Sequence, residues 1–162
     1  MRKFNSLFHL ALHVTDMERT LDFYQRLGMD RMFTLQLPDG RDWLTYIRVT
    51  EGQYLELFNT YPDHPMTPHG AVQQDSGNFF GHFSLLVDDL KYTATEWKKQ
   101  GIDLVYAPFK PDPIPLGDEF DPHVGADGNK IGWVVDPDGT WIEVMEELDI
   151  SWQKQFEEKN PF

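Results

Sequence analysis

The sequence predicts an α+β fold built from two tandem βαβββ modules, on three observations. A stretch that begins Phe8-His9-Leu10-Ala11 returns as Gly81-His82-Phe83-Ser84. His9/His82, Asp16/Asp89, Met17/Leu90, Leu21/Ala94, Tyr24/Trp97 and Gly28/Gly101 all stand 73 positions apart. The module ends recur as well, with Gly52-Gln53-Tyr54-Leu55-Glu56 answered 87 positions later by Gly139-Thr140-Trp141-Ile142-Glu143. Thirdly, text of period two alternates with text of period 3.6 in the same order in both halves. A fixed offset held across strand-like and helix-like segments marks an internal duplication. The rise from 73 to 87 places a net insertion in the second half, within Ala107–Lys130.

Each element has its own signal. Residues 7–14 alternate, with Phe8, Leu10, Leu12 and Val14 on one face and Leu7, His9, Ala11 and His13 on the other, as in a strand. Thr15-x-x-Glu18 reads as a capping box opening a helix whose apolar stripe is Met17, Leu21, Tyr24 and Leu27, with Gly28 closing it. Strands are expected at 31–37 and 42–49, joined by the turn Pro38-Asp39-Gly40, and again at Gln53–Phe58. Residues 59–80, with Pro62, Pro65 and Pro68, read as an irregular connector.

The second module repeats the plan. A strand at 82–87 leads to Asp88 or Asp89 as N-cap, then a helix on Leu90, Ala94 and Trp97 ending at Gly101. A strand is expected near 102–106, followed by a Pro-rich, acidic loop, a strand at 130–135, the turn Asp136-Pro137-Asp138-Gly139 and a strand at 140–146. The tail 148–162 carries Trp152 and Phe156 at helical spacing and is expected to pack as a short helix. The organisation expected is one domain over 1–162: module one at about 7–58, connector 59–80, module two at about 81–147, then the tail.

Composition narrows the function. The 162 residues are 40% hydrophobic and 14% aromatic, which suits a folded globular protein. A net charge of −13 argues against a nucleic-acid partner, since phosphate backbones call for a basic footprint. There is no cysteine, so disulfides, thiolate metal sites and a cysteine nucleophile are excluded, leaving histidine and carboxylate as strong ligands. No apolar run reaches the length of a membrane span and Met1-Arg2-Lys3-Phe4-Asn5 lacks the core of a signal peptide. A cytoplasmic location without a membrane partner is the expectation.

Each module opens on a histidine and closes on a glutamate: His9 and Glu56, His82 and Glu143. Glu56 alternates with Tyr54 and Phe58, and Glu143 with Trp141 and Met145, while Leu55, Leu57, Ile142 and Val144 make the opposite faces apolar. A carboxylate in such a strand is costly to bury unless paired or bound to a cation. The four are therefore candidate ligands for a divalent ion such as Ni²⁺, Zn²⁺, Mn²⁺ or Fe²⁺. The same residues would also suit satisfied core histidines and acids at a solvated sheet edge. His13 shares the face of His9, as a substrate contact, as a group supporting the ligands, or as a polar residue at the rim. His64, His69 and His123 are expected in loops, Glu146 and Glu147 at the surface, and the acids of 112–121 in a solvated loop.

The run His9-x6-Asp16-x6-Phe23-Tyr24-x3-Gly28, with Glu56 in Tyr-Leu-Glu-Leu-Phe, Gly81-His82 and Asp136-Pro137-Asp138-Gly139-x3-Glu143, resembles glyoxalase I and its relatives in the vicinal oxygen chelate superfamily. The likeness spans residues 7–147. It implies sheets curled into an incomplete barrel around a divalent metal, Ni or Zn first and Mn or Fe next, held by His9, Glu56, His82 and Glu143. It further implies a homodimer with shared active sites and a small-molecule substrate. The reaction implied is isomerisation of the hemithioacetal of a 2-oxoaldehyde through an enediolate, with Glu143 as base and Glu56 as its partner. An extradiol-type dioxygenase using His9, His82 and Glu143, an epimerase, and a non-catalytic drug-binding resistance protein are the other functions that the superfamily offers. Two positions depart from glyoxalase I: His13 stands where those enzymes carry a glutathione-contacting arginine, and Thr60, preceded by Asn59, where they carry an asparagine.

Overall fold

The computed structural model describes residues 7–62, 82–105 and 122–160. The chain divides into two compact units, Met1–Phe79 and Phe80–Phe162. Unit one runs β1 (His9–Val14), α1 (Met17–Arg26), β2 (Asp30–Gln36), β3 (Asp42–Thr50) and β4 (Gln53–Asn59). Unit two runs β5 (His82–Leu86), α2 (Leu90–Lys99), β6 (His123–Val124), β7 (Lys130–Val135), β8 (Trp141–Glu146) and α3 (Trp152–Lys159). The sheets have the orders β1-β4-β3-β2 and β5-β8-β7-β6, neither of them closed. In both, the first strand lies parallel to the last and the others pair antiparallel. The duplicated α+β plan is thus present twice.

Each unit buries one sheet face under its helix. In unit one, Leu12, Val14, Leu55 and Leu57 are buried together with Leu21, Tyr24 and Leu27 of the α1 stripe. In unit two, Leu90 and Trp97 are buried with Phe83, Val134, Ile142 and Val144. Burying one such aliphatic side chain contributes about 2 kcal/mol. The helix ends follow the repeat. Asp16 and Asp89 are the N-caps, their carboxylates accepting from Arg19 N (3.1 Å) and Tyr92 N (2.8 Å). The first cap is therefore Asp16 and not Thr15, whose hydroxyl instead accepts from the Arg19 guanidinium. The Asp16 carboxylate takes the free N–H of Arg19, so the helix starts one residue later than a Thr15–Glu18 capping box requires. At the other end, Met29 N donates to Tyr24 O (3.0 Å) and Gly28 adopts φ 95°, the left-handed closure its missing Cβ allows.

The second unit departs from expectation in three places. No strand forms at 102–105; Val105 makes a single bridge to Trp133. His123, expected in a loop, lies in β6, opposite Ile131. In unit one, β2 runs along β3, with Phe33 opposite Tyr46 and Leu35 opposite Leu44 and register shifts at Arg31/Phe33 and Leu35/Gln36. In unit two the equivalent track along β7 is covered at one end by Val105 and at the other by β6. Val105 and β6 thus pair with β7 at separate points, with residues 106–121 of the sequence between them. The proline-rich loop, including 112–121, lies outside the described residues, as do His64 and His69. Thirdly, Glu146 is not a surface group: its carboxylate accepts from Leu90 N (2.9 Å) at the start of α2 and pairs with Lys130 Nζ (2.5 Å). Glu147 is exposed, as expected.

The tail forms a helix, yet Trp152 and Phe156 do not pack; they are 69% and 66% exposed. Polar contacts hold α3 instead. Trp152 N donates to Asp127 O (2.8 Å), Gln153 Nε2 donates to Asp127 Oδ2 (3.1 Å), and Asn129 Nδ2 donates to both Asp127 Oδ2 (2.8 Å) and Gln153 Oε1 (3.1 Å). Gly128 makes the approach possible. Its φ is +85°, and a Cβ there would lie 2.5 Å from the Ile150 carbonyl oxygen. Among the described residues no helix is long and apolar enough to cross a membrane.

Candidate functional site

Because side chains alternate along a strand, the face of each sheet turned away from its helix collects the residues that the core does not use. In unit one this face carries His9, Ala11 and His13 from β1 and Tyr54, Glu56 and Phe58 from β4. The parallel register sets His9 opposite Tyr54 and Ala11 opposite Glu56. Glu56 therefore sits one pair along from His9 on the same face, and His9 Nε2 lies 3.5 Å from Glu56 Oε2. Unit two repeats the arrangement: His82 is opposite Trp141, Ser84 is opposite Glu143, and His82 Nε2 lies 3.6 Å from Glu143 Oε2. Each imidazole is solvent-accessible beside a largely buried carboxylate.

The two pairs differ in what faces the carboxylate from the next strand. Tyr46 is opposite Glu56, and its hydroxyl donates to Glu56 Oε1. That bond, together with burial, raises the Tyr46 phenol above its ordinary value, so it stays a donor. The equivalent residue opposite Glu143 is Trp133, whose ring meets His82 edge-on at 4.9 Å. Burial pushes the Glu143 carboxyl above the usual glutamate value; the charge of His82 and a hydrogen bond from Ser84 oppose this, and nearby Asp127 adds to it. Tyr46 and Trp133 escaped the sequence reading. Their sequence signal is indirect: each lies on the strand paired with a glutamate strand, at the position facing the glutamate.

The donor chemistry fits a divalent cation. Ligand bonds of about 2.1 Å set adjacent donors roughly 3.0–3.4 Å apart in octahedral or tetrahedral coordination. The Nε2–Oε2 spacings of 3.5 and 3.6 Å are close to such an edge. Within neither unit do the described residues gather three or more His, Asp or Glu groups, so each unit offers two donors. His13 is separate from the pair. Its ring lies 5.3 Å from that of Phe58, and partial burial lowers its pKa below the ordinary histidine value.

Two βαβββ units, each with a His–Glu pair on the face away from its helix, define a duplicated α+β scaffold. Residues 6–144 match the Glyoxalase/Bleomycin resistance protein/Dioxygenase superfamily, and the chain belongs to that superfamily. It is 30% identical over 144 residues to the lactoylglutathione lyase of Neisseria meningitidis serogroup A, covering 86% of this chain and 89% of that protein. Among solved structures, a glyoxalase I mutant from Zea mays aligns with TM-score 0.59 and 23% identity, covering 88% of this chain and 44% of the maize chain. An antibiotic binding protein, TnmS3 from Streptomyces sp. CB03234, aligns with TM-score 0.57 and 17% identity, covering 91% and 100%.

Proposed function

We propose that the protein is a metal-dependent glyoxalase I-like lyase or isomerase that acts on the hemithioacetal of a 2-oxoaldehyde. The observation that carries this reading is the His–Glu pair placed at the same register in both modules, with donor spacings of 3.5 and 3.6 Å. The likeness to lactoylglutathione lyases supports the reaction class. His9, Glu56, His82 and Glu143 would hold one divalent ion, Ni or Zn ahead of Mn or Fe, in a homodimer with shared active sites. Such an ion would polarise the two vicinal oxygens of the substrate and so acidify the intervening C–H.

The residues then divide the work. Glu143 removes the proton from the hydroxyl-bearing carbon and returns it to the neighbouring carbon, a transfer that leaves the overall composition unchanged. Its raised pKa suits a base. Glu56, tied at one oxygen by Tyr46, keeps a fixed orientation and supports the opposite side. His9 and His82 offer Nε2 and contribute no proton.

Metal content by mass spectrometry tests this reading. Untagged wild type is expected to hold about one divalent ion per chain, and Glu143→Gln to lose isomerisation of methylglyoxal–thiol adducts by about a thousandfold. No bound ion after soaking in Ni²⁺, Zn²⁺, Mn²⁺ and Fe²⁺ would overturn it. Oxygen uptake with a catechol would instead favour the dioxygenase chemistry of the superfamily.

A further inference from the structure

The open face of unit one carries a second feature beyond the His9–Glu56 pair. His13 is paired with Phe58 across the β1–β4 ladder, two residues past Glu56, or about 7 Å further along the strands. The imidazole is exposed and lies over Phe58 at 5.3 Å, with 32° between the ring planes. Phe58 is itself buried and meets Trp43 edge-on at 5.7 Å. A tilted pair of rings whose outer member is exposed offers a surface to another planar group.

Several polar groups near this shelf are already engaged. Thr60 Oγ1 donates to Val14 O (3.0 Å), and Asn59 Nδ2 and the Tyr61 hydroxyl donate to Asp42 O (2.9 and 2.8 Å). On the same face Arg48 is ion-paired with Asp30. Elsewhere in the unit, Arg26, Arg31 and Arg41 are ion-paired with Asp22, Glu18 and Asp39. For any of these four arginines an anionic carrier would have to compete with a carboxylate already in place, whereas an uncharged ring needs no counter-charge.

We propose that His13, packed against Phe58 and backed by Trp43, is the specificity element of the site and takes an uncharged planar group of the substrate rather than an anionic carrier such as glutathione. This rests on the reading that His9 and Glu56 belong to the reacting centre. The substrate would then carry its vicinal oxygens at one end and an aromatic or similarly flat, neutral group at the other.

The test uses the full chain stripped of metal with a chelator, so that it stands apart from the metal reading. Tryptophan fluorescence would be titrated with 1-naphthylacetamide, with 1-naphthaleneacetate of the same ring but negative charge, and with S-methylglutathione. The amide is expected to bind saturably and more tightly than the acetate, and S-methylglutathione is expected not to displace it. His13→Ala should weaken the amide about fivefold, the loss of one ring–ring contact. His13→Arg should reverse the preference toward the acetate. The proposal is overturned if the amide does not bind saturably, if His13→Ala leaves its affinity unchanged, or if S-methylglutathione competes with it. Metal content, measured separately, would fail without changing these titrations if the enzyme reading alone were wrong.

Discussion

Glu56 and Glu143 occupy equivalent strand positions, yet their neighbours hold them differently. The Tyr46 hydroxyl holds one oxygen of Glu56, while Trp133 offers Glu143 no such bond from the matching position. Groups that orient a ligand in this way are worth about 10- to 100-fold in metal affinity. Tyr46→Phe is therefore expected to weaken Zn²⁺ binding by at least tenfold in a competition titration with a chromophoric chelator, while far-ultraviolet dichroism stays as in wild type. Unchanged affinity would show that the phenol is only packing. The His–Glu pairing was legible in the sequence because duplication repeats it; the partner of Glu56 was not. A plain two-residue hairpin at Glu51-Gly52 would set Ile47 opposite Glu56. A register shift between Arg48 and Thr50 brings Tyr46 there instead. Nothing in the text of β3 announces that one-residue slip.

Among the elements, periodicity located both repeated helices and the strand ladders, because an apolar stripe must meet an apolar sheet face. It misjudged α3. The spacing of Trp152 and Phe156 suggested packing, but the helix is fastened by its first turn to the Asp127–Asn129 corner. Gly128→Ala would place a side chain at positive φ and against the Ile150 carbonyl, a cost of about 2 kcal/mol or more. The melting temperature should fall by roughly 4–8 °C; a change of under a degree would mean that α3 adapts freely. Acid should loosen the same corner. Burial works to raise the Asp127 carboxyl, but hydrogen bonds from Asn129 and Gln153 outweigh it and hold the net value below that of an ordinary aspartate. A folded-state pKa below the unfolded one contributes stability above the ordinary aspartate value and loses it as pH falls through the folded value. The helical signal of Gln153→Ala, which lacks one of those bonds, should accordingly respond less to acid below about pH 4 than that of wild type.

At the scale of the whole molecule, two copies of one plan have diverged by an insertion in the second, and the offset change from 73 to 87 disclosed that a length of chain had been added. Its placement within the sheet was not legible, since His123 and Val124 make too short a run to announce a strand. Among the described residues, the same plan puts each histidine at the start of a strand with a neighbour on one side only: β1 and β5 both end their sheets. Strands in that position open more readily than interior ones, since half their backbone groups have no ladder partner. A cation gripped by His9 and Glu56, and by His82 and Glu143, would latch each outermost strand to its inner neighbour. Amide hydrogens at 10–13 and 83–85 should then exchange with deuterium markedly more slowly in zinc-loaded protein than after chelation, while those of β3 and β7 stay unaltered. Equal exchange in both forms would count against that latch. Occupancy of the centre would in this way be legible in how long the rims of the sheets stay shut.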